Sequence, residues 1–394
     1  MPVSNKISSH MEQGGWIRKM FESGIALKQQ YGEENVFDLS LGNPVIEPPE
    51  LFKTELGNLI QNPLKGMHRY MPNNGYLETR EAIATTLTTE TGVNISPDDV
   101  VMTCGAAAAI NVVLKTLLNP SEEVIILSPY FVEYGFYIDN HAGVAVVVPT
   151  DDDFQPDLNK IESALTPRTR AIIINSPNNP TGVVYPQDRI AALATLLEKY
   201  QSKHKRDIYL ISDEPYRRIL FDETKYTHVF PYYSNSIVVT SHAKDLALPG
   251  ERIGYIAVNS SCEDREVLSN GFTFCNRTLG FVNAPALMQH VVKNLQGVSV
   301  DATDYQRKRD LLYSSLIDFG YSVVKPQGAF YLFPKSPIQD DVEFVDLLQE
   351  WNVLAVPGRG FGTPGYFRIS YCVEDSVIAG SLDGFKGAAE KLGL

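Results

Sequence analysis

The chain is poor in cysteine and in tryptophan. Its 394 residues include four cysteines and two tryptophans. Cys104, Cys262, Cys275 and Cys372 are scattered, with no CxxC pair and no metal-ligand spacing, so neither a disulfide framework nor a structural zinc site is expected. Four reduced and mostly buried thiols are expected instead, because free cysteine behaves as a small hydrophobe. A chain of this length buries a substantial core without staples. Positive charge is also short: 34 Lys and Arg stand against 47 Asp and Glu, a formal net charge of −13. That argues against nucleic-acid binding, which usually shows a basic patch. No apolar run reaches about 18 residues, so no membrane span is expected. The opening MPVSNKISSHMEQGGWIRKM has no apolar h-region, so no signal peptide is expected and the cytoplasm is the default location. Internal repeats and low-complexity segments are absent.

What is present is a strand–helix alternation from about residue 100 to 260. VVMTC, EVIILS, VAVVVP, RAIIINS, DIYLIS, SIVVTS and YIAV are short runs of β-branched and aliphatic residues without clear alternation. Continuous apolar runs are what strands covered on both faces look like. AAAAINVVLKTLL (106–118) and QDRIAALATLLEKYQ (187–201) have helical length and propensity. The sum is an α/β domain with a mainly parallel seven-stranded sheet and helices on both faces. Residues 1–45 read as an arm with one helix around IRKMFESGIALKQQYG and a strand at VFDLSL. Beyond residue 300 the pattern changes: a helix at YQRKRDLLYSSLIDFG, a strand pair YSVVKP and AFYLFP around Gln327-Gly328, a helix at VEFVDLLQEWN and a strand at YFRISYCV. A smaller α+β domain is expected there. The expected division is an arm and part of the small domain at 1–45, a large domain at 46–290 and the rest of the small domain at 291–394.

Ligands of open α/β sheets bind at the carboxyl ends of the strands. VVMTC is followed by Gly105-Ala106-Ala107 opening a helix, and free N–H groups at a helix start form an anion site. EVIILS is followed by Pro129-Tyr130-Phe131, RAIIINS by Pro177-Asn178-Asn179-Pro180-Thr181-Gly182, DIYLI by Ser212-Asp213-Glu214-Pro215-Tyr216, and SIVVT by Ser241-His242-Ala243-Lys244. Taken alone, each has an ordinary reading: a helix start, a turn, an N-cap, a core phenol, a snorkelling surface lysine. Together they place a phosphate cradle, an aromatic face, an amide, a phenol, a carboxylate and an amine at one end of one sheet. Pyridoxal 5′-phosphate needs that set. Its aldehyde calls for a lysine, its ring nitrogen for a carboxylate, its phenolic oxygen for amide and hydroxyl donors, and its phosphate for N–H groups, hydroxyls and an arginine.

SPNNPTG, SDEPY and SHAKDLALPGERIGY resemble the signature blocks of the fold-type I pyridoxal-phosphate-dependent aminotransferases of class I/II, the aspartate aminotransferase superfamily. Order and spacing agree: Asn179 lies 34 residues before Asp213, Asp213 lies 31 before Lys244, and Lys244 lies 8 before Arg252. The resemblance runs from LSLGNP (39–44) to YFRISY (366–371). It implies that Lys244 holds the cofactor aldehyde and moves the substrate Cα proton, and that Asp213 pairs with the ring nitrogen. It implies that Asn179 and Tyr216 bond the phenolic oxygen, that Phe131 stacks on the ring, and that Ser241, Arg252 and the backbone of Gly105, Ala106 and Ala107 bind phosphate. Tyr70, in HRYMPNNGY, resembles a tyrosine that reaches the neighbouring subunit's phosphate, which implies a homodimer. Arg368, in FRIS, resembles the arginine that grips the substrate α-carboxylate, and Gly42 and Asn43 would line the substrate pocket.

Two departures stand out. Ala106 and Ala107 replace a hydroxyl found in some members, and Ala107 stands where one aspartate-specific subgroup has a lysine for the distal carboxylate. Trp16, Arg18 and Arg69 are the remaining candidates for a distal contact, although Arg18 and Arg69 read better as surface residues. The implied reaction moves an amino group from an L-amino acid to a 2-oxo acid, 2-oxoglutarate being the usual acceptor, in a ping-pong cycle. An aspartate/alanine-type donor is favoured by LGNP, the PYF block and GERIGY; an aromatic or broad donor stays open. A β-lyase or synthase would share nearly the same site residues. A ligand-sensing regulator would need a DNA-binding segment before the domain, and only about 35 non-basic residues precede VFDLSL.

Overall fold

The computed structural model describes residues 2–394, apart from the side chains of residues 12, 13, 16–19 and 21. Two helices open it, α1 (Asn5–Gln13) and α2 (Gly15–Tyr31), where the sequence reads as one. The extra helix starts at Ser4, whose hydroxyl accepts the Ile7 N–H at 3.3 Å. VFDLSL yields a strand of only two residues, β1 (Phe37–Asp38). After α3 (Glu50–Gln61) and α4 (Leu77–Thr91), strands and helices alternate. They are β2 (Val100–Thr103), α5 (Ala106–Leu117), β3 (Glu123–Ser128), α6 (Glu133–Asn140), β4 (Val144–Pro149), α7 (Leu158–Ala164), β5 (Thr169–Asn175) and α8 (Gln187–His204). Next come β6 (Tyr209–Asp213), β7 (Ser236–Ser241), the one-turn α9 (His242–Asp245) and β8 (Gly254–Val258). The helices α10 (Arg265–Thr278) and α11 (Ala286–Val292) lead to the C-terminal part.

β2 to β8 form one seven-stranded sheet in the order β2-β8-β7-β6-β5-β3-β4. Only β8 runs against its neighbours, so the carboxyl ends of β2, β3, β5, β6 and β7 all lie at one edge. Alternate residues of each strand enter different layers of the core, as a period of two requires. Val124, Ile126, Ile173, Ile211 and Val239 pack with α5, α6 and α10, while Ile125, Leu127, Ile172, Leu210 and Val238 pack with the opposite layer. The continuous apolar runs are thus explained by cover on both faces. VAVVVP is the exception and corrects that expectation: β4 is the sheet edge, and Val144 and Val147 are exposed.

The C-terminal part contains α12 (Ala302–Asp318), β9 (Tyr331–Leu332), α13 (Asp341–Leu348), β10 (Val353–Leu354), β11 (Val356–Pro357), β12 (Phe367–Ser370) and α14 (Asp375–Leu392). β11, β12 and β9 form a small antiparallel sheet, and β1 pairs with β10. The expected strand pair YSVVKP/AFYLFP does not form. Gln327 and Gly328 each donate their N–H to Gly182 O at 2.9 Å, the Phe221 N–H donates to Gln327 O at 2.9 Å, and the Ala329 N–H donates to Ile219 O at 3.0 Å. Loops that follow β5 and β6 therefore take the backbone groups a hairpin would have used, and β12 takes the edge of β9. Among the described residues no helix is long and apolar enough to cross a membrane. All four cysteines are free; Cys104 is half-buried and the others are buried.

Candidate active site

The strand ends converge on a cavity of about 180 Å³. Ala106, Ala107, Phe131, Asn179, Asp213, Tyr216, Ser241, Lys244 and Arg252 line it, as their positions after the strands imply. A larger hollow of about 600 Å³ opens between α1 and α6 beside Phe136 and Tyr137, but no lysine or arginine among the described residues lines it.

One wall is an anion cradle. Gly105 starts α5 with φ +85°, a conformation glycine adopts without steric cost. A Cβ there would sit 2.9 Å from Arg252 Nη2. Arg252 is anchored by donating to Pro249 O at 3.0 Å and to Cys104 O at 3.3 Å, and it pairs with no carboxylate among the described residues. Ser241, the last residue of β7, is buried beside it.

Lys244 stands on α9, directly after β7. Its Nζ donates to Gly42 O at 2.7 Å and lies 5.3 Å from the centre of the Phe330 ring. Burial lowers its pKa from the ordinary lysine value to about 8, and the charges of Arg368 and Arg252 act in the same direction while Cys372 opposes them. The neutral, nucleophilic amine is therefore accessible near neutral pH.

Asp213 ends β6. Its Oδ2 accepts from the Tyr134 hydroxyl at 2.5 Å, while Oδ1 is buried with no hydrogen-bond partner among the described residues. Burial raises its pKa to about 7; the Tyr134 bond opposes that rise and Glu214 adds to it. A buried carboxylate oxygen without a donor is costly, so this oxygen suits a cationic N–H brought by a ligand.

Asn179 is aimed by its own turn. Its N–H donates to Asn175 Oδ1 at 2.7 Å, and the Thr181 hydroxyl and N–H both close onto Asn178 Oδ1. The Asn179 side-chain oxygen accepts from Arg368 Nη1 at 3.1 Å. Tyr216 is buried, its hydroxyl 3.0 Å from that of Tyr331, and burial pushes its pKa well above the usual phenol value.

Arg368 is 3% exposed. Its Nη2 donates to Ser40 O at 2.5 Å, its Nε has no hydrogen-bond partner among the described residues, and the guanidinium lies between the rings of Tyr331 and Phe361 at 4.8 and 4.7 Å. No carboxylate pairs with it among the described residues. Gly42 abuts the same tyrosine: a Cβ on Gly42 would fall on the Tyr331 hydroxyl. Asn43 and Arg69 are exposed and line no part of this cavity, and Tyr70 is 91% exposed on the surface. The Trp16 and Arg18 side chains lie outside the described residues.

Tyr134, Tyr331, Phe361 and Ser40 were not foreseen. Tyr134 alone had a local signal: it lies three residues after Phe131, and the turn leading into α6, closed by the Tyr134 N–H donating to Phe131 O at 3.1 Å, brings the two rings together.

A parallel sheet whose strand ends join an amine, an orphaned carboxylate oxygen, a phenol and an anion cradle defines an enzyme built around an aldehyde- and phosphate-bearing cofactor. Residues 34–382 match the family model described as aminotransferase class I and II. The chain is 33% identical over 358 residues to the aspartate/prephenate aminotransferase of Thermus thermophilus, covering 88% of this chain and 89% of that protein. It superposes on an aminotransferase from Eubacterium rectale with a TM-score of 0.95 at 38% identity, covering 100% of both chains. It superposes on the Thermus thermophilus aspartate aminotransferase with maleate with a TM-score of 0.85 at 30% identity, covering 95% of this chain and 96% of that one. The chain belongs to the class I and II aminotransferases, and is a pyridoxal-phosphate-dependent enzyme of that family. The residues present fit that cofactor: the unpartnered Asp213 Oδ1, the Gly105 cradle and the amine of Lys244 answer its ring nitrogen, phosphate and aldehyde.

Proposed function

We propose that the enzyme transfers the amino group of a small L-amino acid, of aspartate or alanine type, to 2-oxoglutarate in a ping-pong cycle. One observation carries the reading: Lys244, Arg252 and Arg368 converge on the site with no carboxylate paired to any of them among the described residues. Arg368 is buried and Lys244 half-buried, and unpaired cations so placed, together with the exposed Arg252, call for anions from a ligand, here a carboxylate and a phosphate. Gly105, Ala106, Ala107, Ser241 and Arg252 would hold the phosphate, Phe131 the ring face, Asp213 the ring nitrogen, and Asn179 and Tyr216 the phenolic oxygen. Bound there, pyridoxal phosphate supplies an electron sink for negative charge developing at the substrate Cα. Arg368 presents its free Nε and its fork to the α-carboxylate and so aligns the Cα–H bond. Lys244 Nζ, with its lowered pKa, would take the Cα proton and deliver it to the carbon that carried the cofactor's aldehyde. Gly42, whose carbonyl accepts from Lys244 Nζ, would border the substrate.

The donor preference draws on the aspartate names of the relatives and on the maleate bound by one of them. Among the described residues Lys244 and Arg252 are the cations lining the cavity, and Ala107 offers none, which favours a compact donor side chain. The protruding Tyr70 supports a homodimer in which it enters the neighbouring site. The parts 1–45 with 291–394 and 46–290 would act as the two bodies that close on the substrate. The test is the absorption spectrum of the holoenzyme. Bleaching of the yellow lysine-bound cofactor by L-aspartate or L-alanine, and its recovery with 2-oxoglutarate, is the expected result. Release of pyruvate and ammonia without bleaching would overturn it in favour of a lyase.

A further inference from the structure

Tyr134 has no place in the set of residues that the motifs deliver, yet it makes the only side-chain hydrogen bond of Asp213 among the described residues. Both residues are buried, at 2% and 5% exposure. We propose that Tyr134 is a positioning residue for the cofactor's ring nitrogen: its hydroxyl holds Asp213 Oδ2, which leaves Oδ1 as a charged acceptor facing the ring. This rests on the reading that pyridoxal phosphate occupies the cavity.

Three observations support it. The first is geometric. A carboxylate has two oxygens, and here one is engaged and the other orphaned. A single donor from one side fixes the rotation of the carboxyl group and so decides which oxygen faces the cavity. The second is the anchoring of the donor. Tyr134 lies in α6, and its ring meets Phe131 edge-on, 5.6 Å apart at 84°. Phe131 itself lines the cavity. One turn of chain thus delivers both an aromatic face for the ring and the phenol that orients the carboxylate behind it.

The third is electrostatic. The groups that face Asp213 are Glu214 on its own segment, Tyr216 just beyond, and Tyr134 and Tyr137 from α6. None is a cation. Burial and Glu214 push the Asp213 proton affinity up, and the Tyr134 hydrogen bond is what opposes them. Without that hydroxyl, both oxygens would be buried with no donor, and the group would hold its proton or turn away.

The test uses the apoprotein and its Tyr134→Phe variant. Both are titrated with pyridoxal phosphate and with the analogue in which a C–H replaces the ring nitrogen. The variant keeps the ring packed on Phe131 and removes only the hydroxyl. The expected result is a loss of about tenfold or more in affinity for pyridoxal phosphate, from one charge-assisted hydrogen bond lost, with affinity for the analogue unchanged. In an Asp213→Asn background the same Tyr134→Phe change is expected to have no further effect on pyridoxal phosphate affinity. Equal weakening toward both ligands would make Tyr134 a packing residue and overturn the proposal. So would unchanged affinity for both. Failure of the unaltered protein to bind either ligand would overturn the reading of the cavity itself, a result distinct from any of these.

Discussion

The hydroxyls of Tyr216 and Tyr331 lie 3.0 Å apart, although 115 residues separate them. Tyr216 follows β6 of the large sheet, and Tyr331 belongs to β9 of the small one. Tyr331 also lies under the guanidinium of Arg368, and its hydroxyl fills the space a side chain at Gly42 would need. One phenol thus joins the residue meant for the cofactor's phenolic oxygen, the residue meant for the substrate carboxylate, and the turn that accepts from Lys244 Nζ.

Tyr331→Phe leaves the buried Tyr216 hydroxyl without its partner, which costs about 1–3 kcal/mol of apoprotein stability. Gly42→Ala forces the Tyr331 hydroxyl aside and costs roughly 1–3 kcal/mol through overpacking. The two changes share one atom, so they should not add: the Gly42→Ala penalty is expected to shrink in the Tyr331→Phe background. Urea unfolding of the four proteins checks this. Strict additivity would show that the hydroxyl is not what Gly42 accommodates.

Lys244 gives a prediction with a pH sign. Its pKa in the folded protein is lowered to about 8 from 10.5. Between those values the unfolded chain binds the proton that the folded chain has released, so stability rises with pH across that window. The unfavourable contribution is fully present below about pH 8 and is gone once the unfolded group is also neutral. Lys244→Met should therefore stabilise the apoprotein at pH 7 by about 1–3 kcal/mol, a gain that fades toward pH 10. Thermal melts at the two pH values measure it. A stabilisation that does not change with pH would show that the lysine is not desolvated. The same variant cannot hold pyridoxal phosphate covalently and should show no yellow band.

The residues most legible in the sequence share one property: each lies at the carboxyl end of a strand or within a few residues of it. Lys244, Asp213, Asn179 and Gly105 sit in short segments whose composition advertises a turn at a strand end, and the sheet collects those ends. Tyr331, Phe361 and Ser40 have no such mark. Ser40 reaches Arg368 across 328 residues and Tyr331 reaches Tyr216 across 115, so only packing reveals them. The same limit explains the missed elements. A run such as VAVVVP does not say that it will be an edge, and Gln327-Gly328 reads as a hairpin turn until Gly182 O takes its N–H groups. Local sequence specifies local geometry; partners across the chain are chosen by topology.

Gly105→Ala should weaken cofactor binding more than it weakens the fold. The φ of +85° costs an alanine roughly 1–2 kcal/mol. The added Cβ meets Arg252 Nη2 at 2.9 Å, the far end of a flexible side chain that shifts by turning out of the cradle. Titration of the apoprotein with pyridoxal phosphate, beside a urea melt, separates the two effects. The affinity loss should exceed the stability loss, and inorganic phosphate should bind more weakly in proportion. A loss of stability with unchanged phosphate binding would show that Arg252 is not part of the cradle.

Arg368→Lys is the most demanding of these substitutions. The guanidinium is buried, flanked by Tyr331 and Phe361, and tied to Asn179 and Ser40. An ammonium keeps the charge but has no plane to lie between the two rings and no fork to meet a carboxylate. Two charge-assisted hydrogen bonds are at stake, so kcat/KM for every amino acid and oxo acid should fall about 10²-fold or more. The loss should be the same for all donors, because the contact is with the α-carboxylate that all share. Amines without an α-carboxylate should react as slowly with the variant as with the unaltered enzyme. Steady-state kinetics on L-aspartate, L-alanine and a simple alkylamine make the comparison. A donor-dependent loss would move Arg368 from the α-carboxylate to the side chain, and with it the whole orientation of the substrate in the site.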